Sequence, residues 1–280
     1  MMGMFDWLGK KEIEEVQEVC IKRDADFSNF KKVTDYIYEK SGIIDLDKRA
    51  LTASRLQQYA ISEDIYTTQD FYDAMIKRDD FYQESINIAT VNETFFLREL
   101  KELNWLVEYI KNANTNFKIL SMPSSSGEEV YSILILLSEV GVDLNKIEIN
   151  GFDINSDAVK NSMRGEYDEH SLHKLDTKIR DKYFRRNEEG HYEISSHIKS
   201  HANFFQNNIF NLDSKSSKYD IVLSRNMFIY FDDEKRKEAL NIIINLLKQN
   251  GIYIKGHADH IKPSSELNSS LWYLRKKRLI

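Results

Sequence analysis

SMPSSSGEEVYS, Ser121 to Ser132, joins a short apolar run, FKILSM (Phe117 to Met122), to a longer one, VYSILILLSEVG (Val130 to Gly141). The first run has the length of a buried strand. The second has the length of a buried helix, and Gly141 closes it. A strand that passes through small polar residues directly into a helix is the opening unit of a parallel, doubly wound sheet. Small side chains let backbone approach a ligand, and the start of the helix exposes unpaired N–H groups. Gly127 is the one glycine in this stretch, so the three-glycine dinucleotide fingerprint is absent. Glu128 and Glu129 would repel a phosphate and attract an ammonium, which points to a cofactor with an aminoacyl end.

The alternation of strand and helix continues outward. KIEINGFDI (Lys146 to Ile154) reads as the next strand, with Asp153 at its end. An acid there suits hydrogen bonds to ribose hydroxyls; a turn or helix cap is the alternative role. SDAVKNSMRGEY reads as a helix with an Asx/Ser start and a stop at Gly165. KYDIVLSRN is a later strand that carries Ser224, Arg225 and Asn226 to the ligand edge of the sheet. Tyr230 follows four residues later, as a lining residue or as a packed aromatic. DEKRKEALNIIINLLKQNG reads as a long amphipathic helix ending at Gly251, and GIYIKGHAD as one more strand. Residues 168–203 break the alternation, with helix-like LHKLDTKIRDKYF, a turn at RNEEGH and the alternating pieces HYEIS and HIKSH. They read as an insertion at the working edge, where specificity is often carried.

Upstream the pattern is helical. Residues 26–90 read as a small bundle (Phe30, Val33, Ile37, then Leu51, Leu56, Tyr59), and residues 1–25 as an amphipathic arm. Between bundle and sheet lies VNETFFLRE, Val91 to Glu99. Its Asn92, Thr94 and Arg98 are placed to project over a cofactor, anchored by Phe95 and Phe96; the plainer role is an interdomain plug. Lys48 and Arg55 are spaced to share one helix face, with Arg49 beside them.

Bulk composition narrows the function. The chain has 280 residues, 41% hydrophobic and 30% charged, a soluble globular balance. A net charge of −6 argues against a nucleic-acid substrate. No apolar run reaches membrane-spanning length, and the N-terminus lacks the order of a secretory signal, so a cytoplasmic protein is expected; a monomer is expected as well. Cys20 is the only cysteine, which excludes an intrachain disulfide and a cysteine metal cluster. His170 and His173 have no third ligand motif with them, and no metal is expected. Nucleophile-elbow, P-loop and zinc-protease motifs are absent.

Taken in order, these stretches resemble the chemotaxis receptor methyltransferases, the CheR family. The likeness runs over most of residues 26–280. It rests on Asn92 to Glu99, Ser125 to Ser132, Ser224 to Phe231 and Gly256 to Asp259. Val130 departs from the family's proline, Ser224 from its cysteine and Ala258-Asp259 from its Ser-Glu. The resemblance implies an S-adenosylmethionine (SAM) dependent, Rossmann-like α/β domain at 100–280 with a small β subdomain inserted. It places a receptor-contacting all-α domain before it at 26–90, with 91–99 as a linker over the cofactor. The implied reaction is methylation of glutamate carboxylates on the cytoplasmic helical region of chemoreceptors, giving methyl esters and S-adenosylhomocysteine during sensory adaptation. Implied SAM contacts are Asn92, Thr94, Arg98, Glu128 or Glu129, Asp153, Asn208, Ile209, Ser224, Arg225 and Asn226. Arg98 and Tyr230 stand nearest the transferring methyl. Lys48, Arg49 and Arg55 become the basic face for acidic receptor helices. Two alternatives keep the fold: a SAM methyltransferase with another substrate, and a SAM-sensing adaptor without turnover.

Overall fold

Side chains along a strand point alternately to opposite faces, and here that alternation builds two cores on one sheet. The computed structural model describes residues 25–44, 46, 50–90, 92–113, 115–212 and 218–259, with the backbone of 267–269 and 273–276. β1 (Phe117–Ser121) sends Ile119 to one face and Leu120 to the other. β7 (Tyr219–Ser224) does the same with Ile221 and Leu223 against Val222. So does β8 (Leu247–Lys255), with Ile252 and Ile254 against Tyr253. The first face is covered by α5 (Leu100–Ala113) and α6 (Glu128–Glu139), the second by α10 (Asp233–Leu246).

β2 (Ile147–Asp153), β6 (Ala202–Gln206), β9 (Leu267–Ser269) and β10 (Tyr273–Lys276) complete a seven-stranded sheet of order β6-β2-β1-β7-β8-β10-β9. β1 pairs in parallel with both β2 and β7, and β10 is antiparallel to β8. The chain leaves β1 toward β2 and β6, then returns to the other side for β7. That reversal opens a crevice at the carboxyl end of β1.

Two expected boundaries move. The helix expected to reach Gly251 stops at Leu246. Leu247 is buried and already pairs with Tyr219 of β7, so the sheet takes the backbone over. HIKSH, expected as an alternating piece, forms α9 (Ser196–Lys199), because Ile198 turns into the core. The outlying antiparallel sheet consists of β3 (Glu166–Tyr167), β5 (Tyr192–Ile194) and β4 (Phe184–Arg186), in that order, with α8 (Thr177–Tyr183) before β4. It thus begins two residues earlier than the alternation break at 168. Ala202 and Asn203 lie outside it, in β6 opposite Ile149 and Asn150.

The preceding helices are α1 (Lys31–Ser41), α2 (Ala50–Ser62), α3 (Thr68–Lys77) and α4 (Asp79–Ala89). They enclose their own core of Val33, Ile37, Leu56, Phe71, Phe81 and Ile86. Phe71 stands edge-on to Phe30 and Phe81. Polar contacts dock this bundle on the sheet. Asn87 Oδ1 accepts from Ser156 N (3.0 Å) at the start of α7 (Ser156–Arg164), and Gln83 Nε2 donates to Ile154 O (3.0 Å). Asn155 Nδ2 donates to Thr90 Oγ1 (2.8 Å) and Tyr38 OH to Asp232 Oδ2 (2.6 Å). The bundle therefore roofs the crevice. Residues 1–24 lie outside the described residues, as does nearly all of the expected N-terminal arm.

Candidate active site

Main-chain bonds fix the stretch that follows β1. Met122 N donates to Leu223 O (2.9 Å), Ser124 N to Phe152 O (2.8 Å), and Ser125 N to Asp153 Oδ2 (2.7 Å). The turn ends at Gly127, whose φ of 95° and contacts with Phe204 and Ser162 leave no room for a Cβ. Over this turn and the ends of β2 and β7 lies a cavity of about 220 Å³, walled on the bundle side by Ser41, Ile43 and Thr90.

Of the residues expected at the site, Asn92, Thr94, Arg98, Glu129, Asp153, Asn208, Ile209, Arg225, Asn226 and Tyr230 line this cavity. Glu128 does not. One helical step turns a side chain by about 100°, and it carries Glu128 inward, where it is buried. Its carboxylate accepts from Ser126 Oγ (2.8 and 3.0 Å), and burial pushes its pKa up to about 7. Ser224 is fully buried and also lies off the cavity. Arg55 is exposed on α2, away from it, and Lys48 and Arg49 lie outside the described residues.

Arg225 is at the centre of the polar floor, its side chain only 5% exposed. Nε faces Glu99 Oε2 (3.2 Å), Nη1 pairs with Glu129, and Nη2 donates to Arg98 O (2.5 Å). Burial alone would lower its pKa; Glu129 and Glu99 outweigh that and raise it. All three nitrogens are thus engaged with protein, and Arg225 positions Arg98 through its backbone. Glu129 Oε1 accepts from Ser121 Oγ (2.7 Å). The Asn208 side chain is also engaged, donating to Lys40 O (2.8 Å) and accepting from Phe210 N (3.0 Å).

Asp153 and Asp259 act as buried clamps. Asp153 accepts from Ser125 N and from Asn155 N (2.8 Å). Asp259 accepts from Asn226 N (2.8 Å), Gly256 N (3.1 Å) and Phe228 N (3.0 Å). Burial pushes each up to about 6, against the pull of these N–H bonds. A Cβ on Gly256 would meet Asn226 N at 2.8 Å, so this glycine allows the two loops to touch. Reasoning from sequence assigned no side-chain role to Asp259, Glu99, Ser124 or Ser125, although all four fall inside quoted motifs; for Glu99 and Asp259 acidity was the available signal.

The linker is strained where it works. Phe96 is fully buried between Tyr167 and Phe184, and Phe96 N donates to Ser171 O (2.9 Å). Leu97 (φ 60°) and Glu99 (φ 51°) flank Arg98 in the left-handed region, and Ser125 (φ 48°) and Asn226 (φ 64°) line the cavity in it. Such conformations cost roughly 1–3 kcal/mol each and gather at functional sites. Arg98 Nη1 donates to Glu93 O (2.7 Å).

The cavity suits a zwitterionic nucleoside bearing a cation. Ser124 Oγ and Ser125 Oγ are buried at its wall with no hydrogen-bond partner among the described residues, an arrangement that asks for a ligand group. Glu129 and Asp153 supply carboxylates. Phe152, Ile154, Ile209, Met227 and Phe231 supply apolar wall for a base.

Comparison with known proteins agrees. Residues 92–273 match the family described as CheR methyltransferase, SAM binding domain. A chemotaxis protein methyltransferase of Campylobacter jejuni is 31% identical, with 85% of this chain and 89% of that protein covered. Chemotaxis protein methyltransferase 2 of Vibrio cholerae is 31% identical over 91% of each chain. The Escherichia coli chemotaxis protein methyltransferase is 26% identical, covering 83% of this chain and 84% of the other. With its SAM-suited cavity at the switch point of the sheet, the chain belongs to the CheR methyltransferases.

Proposed function

We propose that this protein methylates glutamate carboxylates on the cytoplasmic helical region of chemotaxis receptors, using SAM and releasing S-adenosylhomocysteine. The observation that carries this reading is the convergence of Arg98, Glu129, Asp153 and Tyr230 on one roofed cavity at the carboxyl end of β1.

Bound SAM supplies a methyl group made electrophilic by its sulfonium. The accepting carboxylate is already ionised near neutral pH, so the protein need supply no general base. Its task is placement, the contribution that oriented groups make to a displacement. Glu129 holds the aminoacyl end of the cofactor and Asp153 the ribose. Arg98, aimed into the cavity by the left-handed residues on either side, orients the incoming carboxylate. Tyr230 closes the site from the bundle side, where its backbone carbonyl accepts from Ile44 N (3.0 Å).

The all-α domain receives the receptor. Arg55, exposed on α2, is the described member of the basic face expected to meet an acidic helix; Lys48 and Arg49 are its other expected members. Methylation should therefore weaken with rising salt. Unchanged activity in the K48E/R55E double variant would remove that face from the reading.

The deciding experiment incubates the protein with tritium-methyl SAM and receptor-containing membranes from its own source. Label on the receptor that base releases as methanol is the expected result. SAM binding by calorimetry without label would favour another substrate or a SAM sensor.

A further inference from the structure

Beside the cavity, at the entry to α5, three ligand-type side chains meet that methyl transfer does not require as a set. Glu99 directly precedes α5 and Glu102 lies in its first turn, with Glu102 N donating to Glu99 O (3.2 Å). His257 reaches them from the loop after β8. One ligand atom from each lies within 4.8 Å of the others.

Glu102 makes this more than an acidic cluster. Its side chain is 1% exposed. Its Oε1 is hydrogen-bonded to His257 Nε2 (2.5 Å), while Oε2, equally enclosed, has no partner among the described residues. A buried carboxylate oxygen without a donor is destabilising until a cation or donor reaches it. Charge points the same way. Arg225 is engaged with Glu99, Glu129 and Arg98 O, so three carboxylates share this corner with one guanidinium. The His257 side chain is 65% exposed and leaves a path from solvent.

We propose that Glu99, Glu102 and His257 bind a divalent transition-metal ion, with water completing its shell. Imidazole with carboxylates is a zinc-type donor set. Ligand atoms on a tetrahedral zinc with bonds of ~2.0 Å sit roughly 3.3 Å apart. Metal binding therefore asks the 2.5 Å contact of His257 with Glu102 to open by about 0.8 Å and the widest pair to close by at most about 1.5 Å. The ion cross-links the helix that follows Arg98 to the loop whose Asp259 holds Asn226. It stiffens the floor of the cavity from outside.

The test uses the full chain, stripped with chelator and titrated with Co2+ as a spectroscopic stand-in for Zn2+. One equivalent should produce visible d–d bands, and Zn2+ should displace it and raise the urea midpoint. E102Q and H257Q should each weaken Co2+ by ~10-fold or more and abolish the Zn2+ shift. H197Q, altered at the exposed member of a separate histidine pair, should leave both unchanged. His257 is exposed, so H257Q reports on the ligand without unfolding the chain, and circular dichroism checks this for both variants. Absence of the bands overturns the proposal. So does binding at wild-type affinity in both E102Q and H257Q.

Discussion

Arg225→Met tests whether one buried guanidinium holds the floor of the site. The substitution keeps an unbranched chain and removes every donor. Bonds to Glu99, Glu129 and the Arg98 carbonyl go together. The two carboxylate side chains stay 13% and 11% exposed, with their common cation gone. The two bonds to carboxylates alone, at ~1.5–3 kcal/mol each, give about 3–6 kcal/mol before the Arg98 carbonyl bond is added. Breaking one side of a buried ion pair gives roughly 3–5 kcal/mol by independent measure, so about 4 kcal/mol is the working value. Urea unfolding at pH 7, followed by circular dichroism, reads it. The triple variant R225M/E99Q/E129Q should recover most of that loss, because neutral groups leave no buried charge unpaired. A single variant within about 1 kcal/mol of wild type would refute the reasoning. So would a triple variant no better than the single.

Asp153, raised to about 6, should accept from ribose only when ionised. SAM should bind about tenfold more weakly at pH 5 than at pH 7, and D153N should bind weakly with a flat pH profile, both read by calorimetry. Asp153 and Asp259 have folded values near 6 against about 3.9 unfolded, so the folded state binds the extra protons between those limits. Their stabilising contribution is therefore full below pH ~4 and lost as pH rises through 6, and D259N should flatten that part of a urea-midpoint profile. Arg98→Ala should lower turnover by ~100-fold at saturating SAM and receptor while SAM affinity changes far less, a split visible in single-turnover assays. Gly256→Ala should destabilise by about 1–3 kcal/mol and weaken SAM, because its Cβ would press on Asn226 N at 2.8 Å.

The sheet was legible because its central strands β1 and β7 are buried on both faces and short. FKILSM and YDIVLS are apolar runs bounded by polar turns, and position in the chain does the rest. What local pattern could not locate was the end of α10. LLKQ continues a helical stripe in sequence, yet Leu247 is buried against the sheet and Tyr219 waits opposite it. HIKSH was obscure for the same reason, since four residues carry too little periodicity to separate a helical turn from a strand. At the site, Glu128 and Glu129 are chemically alike, and only the direction in which the helix leaves Gly127 separates the cavity-facing one from the buried one. Asp259 was hidden more deeply, because its role depends on Gly256 bringing two distant loops into contact.

Seven non-glycine residues among those described take positive φ; Asn29, Asp64 and Asn250 are the types that tolerate it and lie elsewhere, while the other four gather at the site and support its reading. Leu97, Glu99, Ser125 and Asn226 are residue types that disfavour positive φ or tolerate it only singly. None is needed to form a helix or strand, and each borders the cavity or Arg98. The bonds that hold them come from elsewhere: Ser132 Oγ to Leu97 N (2.9 Å), Asp153 to Ser125 N, Asp259 to Asn226 N, and Arg225 to the carbonyl between Leu97 and Glu99. Three of those four anchors are charged groups buried at a cost in desolvation. A fold selected for stability alone would relax the backbone and expose the charges. Keeping both makes sense where a fixed arginine must meet a mobile carboxylate, since placement is the main contribution this reaction asks of the protein.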